Sequence, residues 1–440
     1  MTRNTRIRPR DRDAILQSLA AGVVPRRGLQ HIQVGRANEV SALLRDVDRV
    51  IDGGSAIRFV IGEYGSGKSF FLHLIRTTAL EKQLVTMHAD LTPDRRIYAT
   101  GGQARSLYTE LARNLSTRTS PDGGGLPSVV ERFIGEAQNE ARDARVEVDE
   151  VIHERLATLS ELVGGYDFAT VVAAYWRGHN EGLVDLRSSA VRWLRGEYST
   201  RTDARRDLGV RTIVDDDNVY DRLKLLARFV HLAGYGGLIV ALDELVNLYK
   251  LANTRARNSN YEQILRIIND CLQGSVAHLG FILAGTPEFL TDTRRGLYSY
   301  EALQSRLSEN MFASSSVRDF SGPVLRLANL TAEELFVVLT KLRDVHASGE
   351  ASADALPDQA LHSFMEHCSR RVGDAYFRTP RTTIRAFVQL LAILEQNPDS
   401  SWPDLVGQID VERDVGPPID SVAGSASISA SDDELASFRL

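Results

Sequence analysis

The chain has 440 residues, 43% apolar and 25% charged, with a formal net charge of −6. That is enough chain for two to three domains and a sizeable core, in a soluble, ordered protein with no global attraction to nucleic acid. No apolar run reaches membrane-span length, the start MTRNTRIRPRDRDA has no secretory h-region, and Cys271 and Cys368 stand alone without metal spacing, so a reducing, cytoplasmic setting is expected.

In chain order, residues 1–14 carry five arginines in the first dozen positions and little apolar pattern, and read as a basic flexible arm. From Ile15 to Ile51 the pattern predicts two short helices joined by VVPRRGLQHIQVGRANE. Alternation follows: a strand over 57–61, a glycine loop, a helix over 68–81, a strand over 84–89 and a helix over 103–115. Strands alternating with helices of this length imply an α/β fold with a mainly parallel sheet covered on both faces.

The alternation stops at SPDGGGLP, residues 120–127. Residues 128–212 show helical periodicity only, with Phe133, Ile134 and Ala137, or Phe168, Val171, Val172 and Tyr175, on single faces. This makes 15–119 and 213–330 two parts of one α/β core, interrupted by a helical insertion at 120–212. The second part holds a helix over 218–233, a strand over 238–242, a helix over 261–273 and a strand over 279–284. PVLRLANLTAEEL adds a strand and a helix opened by a capping box, Thr331 with Glu334. Residues 331–398 form a helical C-terminal lid domain, and 399–440, small, polar and acidic, is expected to be a disordered tail.

Chemistry concentrates in GEYGSGKSF, residues 62–70, between an apolar strand and a helix. G-x-x-x-x-G-K-S is matched in full by Gly62, Gly67, Lys68 and Ser69, with Glu63, Tyr64, Gly65, Ser66 and Phe70 completing the loop. Loop amides and the positive end of the following helix would surround nucleotide phosphates, as ATP would supply. Lys68 would reach the outer phosphates, and the Ser69 hydroxyl would join a Mg²⁺ shell. The strand GGLIVALDEL supplies the matching carboxylates: Asp243 to hold Mg²⁺ through water and Glu244 to polarise the attacking water. The alternative, two carboxylates that merely favour a helix dipole, is weakened by the phosphate loop.

LGFILAGT ends in Thr286, a candidate to orient the lytic water or, equally, a helix N-cap before Pro287. Arg294, Arg295 and Arg306 in TRRGLYSYEALQSRL, and Arg378, Arg381 and Arg385 in FRTPRTTIRAF, are candidate counter-charges for a γ-phosphate, although most arginines are solvated helix positions. Arg306 as finger and Arg381 as lid residue are preferred.

The order of loop, Asp-Glu strand, Thr-tipped strand, arginine and helical lid resembles AAA+ ATPases of the origin-recognition type. More narrowly, PRRGLQHIQVGRANE, IGEYGSGKSFFL, ALDELVNLY, AGTPEFLTDTRRGLYSYEALQSRL and TPRTTIRAF look like the BREX-system ATP-binding protein family, BrxD-like, over about Pro25 to Leu391. The resemblance implies a P-loop, AAA+-like ATPase encoded beside a helicase and acting in bacterial defence against phage DNA. It also implies that Val34, Gly35 and Arg36 lie against the adenine, and that Arg306 and Arg381 fall where finger and lid arginines lie.

Two function classes follow. One is an ATP-hydrolysing motor or loader, working on DNA or on a DNA-acting helicase partner and able to assemble as an ATP-dependent homo-oligomer. The other is a nucleotide-switched scaffold of the STAND type, in which turnover is incidental. Glu244 favours the first, because a switch needs no activated water. RWLRGEYSTRTDARRDLGVR, residues 192–211, could form a local basic patch for DNA, or a solvated helix face.

Overall fold

The computed structural model describes residues 7–312, 319–347, 356–373, 380–397 and 399–408, apart from the side chain of residue 372. Five strands, β1 Ser55–Ile61, β2 Val85–Asp90, β3 Leu238–Asp243, β4 Leu279–Gly285 and β5 Val324–Arg326, form one sheet in the order β2-β3-β4-β1-β5. Every pairing is parallel. The crossovers this demands put helices on both faces, which is why β1 and β4 are buried at every position.

Alternation along β1 assigns its two faces. Ile57, Phe59 and Ile61 enter one core, and Ala56 and Val60 enter the other. The second core is closed by α3 (Ala37–Ile51) and α4 (Lys68–Glu81), which carries Phe71, Leu72, Ile75 and Ala79 inward. The first is closed by α5 (Gln103–Arg113), α11 (Val219–Leu232) and α13 (Thr254–Gln273) together with the insertion, which consists of α6 (Leu126–Ala144), α7 (Val148–Ala157), α8 (Gly165–Asn180), α9 (Val184–Leu194) and α10 (Arg201–Leu208). Phe133 of α6 and Phe168 of α8 meet Phe229 of α11 at ring separations of 5.1 and 5.4 Å. At roughly 1.5–3 kcal/mol for each large side chain buried, these contacts fasten the insertion into the core of the sheet.

A third core belongs to the lid: α16 (Ala332–His346), α17 (Asp358–Val372), α18 (Pro380–Gln396) and α19 (Trp402–Gln408). The predicted capping box opens α16, with Glu334 N donating to Thr331 Oγ1 at 3.1 Å and Thr331 N to Glu334 Oε2 at 3.0 Å. The chain's beginning also packs here. Helix α1 (Pro9–Ala20) buries Ile15, packs Leu16 and Leu19 on the lid core, and sends Arg12 to the His346 carbonyl at 2.8 Å and to Glu395 at 2.9 Å.

The flexible-arm expectation for 1–14 is therefore corrected for 9–14, where Pro9 starts a helix whose apolar stripe lies further along. The tail expectation is corrected for 402–408, because α19 buries Val406 and packs Trp402 and Leu405 on the same core. Residues 1–6 and 409–440 lie outside the described residues. Three helices rather than two precede β1, since α2 (Leu29–Ile32) is a single turn. Helix α13 begins earlier than its apolar pattern predicts, because Asn253 caps it by accepting from Ala256 N at 3.1 Å.

One buried ion pair ties α3 to β1. Arg58 Nε and Nη2 donate to Asp46 Oδ2 and Oδ1, each at 2.8 Å, and Nη1 reaches the carbonyls of Phe320, at 3.0 Å, and Gly322 ahead of β5. Burial holds the Asp46 carboxyl above its ordinary range despite Arg58 beside it, so the pair fixes geometry more than it stabilises. Removing one partner is a different matter, because the other charge is left stranded. Asp46→Ala should lose about 3–5 kcal/mol in denaturant unfolding, whereas Asp46→Leu with Arg58→Met should lose much less. Equal losses would show that the ionic contact itself is not what matters.

Candidate functional site

The phosphate loop runs from the end of β1 to the start of α4, at the carboxyl edge of the sheet where ligands gather in parallel folds. Gly67 caps α4 with φ 84°, a left-handed value that a side chain would strain, and so turns the first amides of the helix toward the loop's interior. Lys68 Nζ donates to the carbonyls of Gly62 and Glu63, both at 2.8 Å, which points the side chain back over the loop and leaves a third N–H. Gly62 and Glu63 thus act through their carbonyls and do not line the cavity, whereas Tyr64 through Phe70 do.

The tip of β3 closes the other side. Ser69 Oγ donates to Asp243 Oδ2 at 2.7 Å, and Asp243 Oδ1 accepts from Glu244 N at 2.8 Å. Glu244 has φ 59°, an uncommon value for a residue with a side chain and one concentrated at functional sites. Burial, and then the neighbouring Asp243, hold its carboxyl above the ordinary range. Asp90, which pairs with Asp243 across the strands, is raised for the same two reasons. Lys68 is shifted down by burial, against the pull of Asp243 and Glu244.

These residues line a cavity of about 690 Å³, within the ~300–1,000 Å³ usual for small-molecule sites. Its apolar lining includes Ile32, Val34, Phe70, Leu330, Val338 and Leu342, the last two from α16 of the lid. Gly35 and Arg36 also line it, yet the Arg36 guanidinium is turned toward the phosphate loop, where Nη2 donates to the Ser66 carbonyl and, at 3.4 Å, to that of Ala328. The Arg36 side chain thus braces the phosphate loop against the segment that follows β5. Gly35 lies against the Glu334 carboxylate with φ 67°, a left-handed value that a side chain would strain. Arg381 lines the cavity from α18 and donates to the Gly22 carbonyl at 2.8 Å and to the Tyr64 hydroxyl at 3.2 Å.

Other candidates stand apart from the cavity. Thr286 is the N-cap of α14 (Pro287–Thr291), accepting from Phe289 N at 3.4 Å. Arg306, exposed at the end of α15 (Glu301–Leu307), donates to Asn269 Oδ1 at 2.6 Å and the Ala302 carbonyl at 2.9 Å. Arg295 is spent on the carbonyls of Tyr249 and Leu251, both at 3.2 Å. Arg378 lies outside the described residues. Conversely, the cavity includes Arg26, His73 and Asp90, to which the sequence assigns no role; only Asp90's place at a strand tip beside Asp243 could have pointed to it.

A hydroxyl and a carboxylate in contact form a hard-oxygen donor pair suited to Mg²⁺. Among the described residues no group of three or more His, Cys, Asp or Glu could hold a metal. Two protein oxygens nevertheless fit an ion that keeps its waters and shares phosphate oxygens. No helix of the described residues is long and apolar enough to cross a membrane. The family model described as BREX system ATP-binding protein BrxC/D matches residues 7–410 of the chain. None of the curated proteins matches it.

Proposed function

Because the chain belongs to the BrxC/D family of BREX system ATP-binding proteins, its nucleotide is ATP, and we propose that it hydrolyses that ATP with Glu244 as general base. The observation that carries this reading is the placement of Glu244 beside Asp243, at the strand tip that meets Ser69 of the phosphate loop.

Each residue then has a task. The apolar end receives the base, and the amides of Gly65 to Ser69 receive the phosphates. Lys68 is aimed at the outer phosphates, and its downward shift on burial reflects a charge that an anion would stabilise. Ser69 and Asp243 would hold Mg²⁺, which when bound offsets the charge developing on the phosphate oxygens. Glu244 takes the proton of the attacking water as the new oxygen–phosphorus bond forms and the bridging bond to ADP breaks. Its raised proton affinity makes it a better base than an ordinary carboxylate. Arg381 brings the lid's charge to Tyr64 of the loop, so lid position and phosphate state are coupled through that contact.

A nucleotide-switched scaffold is the second reading, and the favouring observation is that Arg306 is turned to Asn269, away from its own cavity. An exposed arginine can still complete a second copy's site. If it does, mixing Arg306→Ala with Lys68→Ala chains should restore part of the turnover that each lacks alone, since one mixed interface holds both intact groups. No recovery, with a monomeric mass in ATP, would favour the switch. In the stretch 192–211, Arg201 pairs with Asp215 at 3.0 Å, and Arg206 with Asp203 at 3.0 Å and Asp207 at 2.8 Å, so two of its six arginines are taken up by neighbouring carboxylates.

A further inference from the structure

The cavity has a further wall of nitrogen donors that the tasks above do not use. His73 and Arg76 lie on α4 beyond Ser69, and β2 brings His88 beside them, its ring edge-on to His73 at 6.3 Å. Residues 22–26 border the same cavity, so Arg26 and His73 line it together with Asp90. This segment is held from outside by Arg27, whose Nη2 meets Asp122 at 3.0 Å.

Charge in this wall is poorly matched. Arg76 is only 6% exposed, and its Nε has no partner among the described residues; nor has Nδ1 of His88. Arg26 makes no hydrogen bond or ion pair to another described residue in the structure, while its charge, after burial, helps push His73 down to about 4 and Arg76 down to about 10. Asp90 is the carboxylate that faces the group, and its own carboxyl is held up by burial and by Asp243. A buried guanidinium with an unpartnered nitrogen, behind a second guanidinium open to the cavity, is costly unless an anion shares the space.

The donors are also arranged for an oxyanion. Arg76 Nη1 lies 3.4 Å from His73 Nδ1, and a guanidinium can only donate, so Nδ1 accepts and the neutral ring carries its proton on Nε2. We propose that Arg26 and His73, backed by Arg76, form a second anion subsite on the Ser69–Asp243 side of the nucleotide cavity, and that it takes inorganic phosphate. The inference rests on the hydrolytic reading for the source of that phosphate, which is the product released beside it. Arginine matches its oxygens in pairs, and a neutral imidazole N–H adds a donor without adding repulsion against Arg26.

The test fills the phosphate loop with a non-hydrolysable ATP analogue and Mg²⁺, then titrates inorganic phosphate calorimetrically. The filled parent should bind phosphate saturably, and Arg26→Ala and His73→Phe, each saturated with the analogue, should bind it about tenfold more weakly or worse. Arg26 is exposed, so its variant keeps the fold. Absence of saturable phosphate binding to the filled parent, or equal affinity in Arg26→Ala, would overturn the subsite. If the analogue itself failed to bind, the nucleotide reading would be at fault. Phosphate titrated into the chain alone would then still decide: loss in Arg26→Ala supports the subsite, and loss only in Lys68→Ala overturns it.

Discussion

Lys68→Ala should bind ATP roughly 100-fold more weakly or worse while unfolding at the parent's denaturant midpoint. The ammonium is held over the loop by two carbonyls at 2.8 Å and packs no core, so its loss leaves the fold intact. Burial has already weakened its hold on the proton, and the charge is kept by Asp243 and Glu244 nearby. A triphosphate is the partner that would use it most, because a partly buried charge interacts with little screening. Binding measured by calorimetry, beside an unfolding curve, separates the two effects. Near-parent affinity in a folded variant would mean that the loop is only a turn.

Glu244→Gln should keep ATP affinity within a few-fold and lower kcat by about 10²–10⁴, the usual contribution of a general base. The amide preserves shape and cannot take a proton. The parent's own pH dependence gives a second reading of the same group. A base works only when deprotonated, and the folded carboxyl is held above its ordinary value of 4.5. Turnover should therefore fall away on acidification at a pH above that value, and Glu244→Gln should lack this limb in whatever rate remains. A variant that turns over at the parent's rate would reduce the Asp-Glu pair to a helix start.

What could be read in the sequence was whatever lies close together in the chain. The phosphate loop needs nine consecutive residues, and α4 has the bounds its sequence predicts, since Gly67 marks its start and the apolar spacing its course. Asp243 and Glu244 follow directly from a strand that is buried along its length until its tip. The parallel sheet followed from alternation, and the BREX-family likeness from short motifs that hold together over most of the chain.

What could not be read depends on contacts between distant residues. Helix α1 joins the lid through Arg12 and the His346 carbonyl, a separation of 334 residues that no local pattern encodes. For the same reason PRRGLQHIQVGRANE gives no sign that residues 22–26 wall the cavity or that Arg26 lines it. The resemblance puts the segment of Val34, Gly35 and Arg36 against the adenine, but nothing in that motif encodes the turn of the Arg36 guanidinium onto the Ser66 carbonyl. Thr286 shows the limit of a strand-tip argument: its hydroxyl had two possible uses, and in the structure it caps α14.

The most direct measurement of the central claim is the nucleotide recovered after incubating the purified chain with excess γ-labelled ATP and Mg²⁺, beside Glu244→Gln under the same conditions. Hydrolysis at this site predicts labelled phosphate and ADP in amounts exceeding the protein from the parent, and intact ATP bound to the variant. Intact ATP bound to both, or equal phosphate release by both, would contradict it.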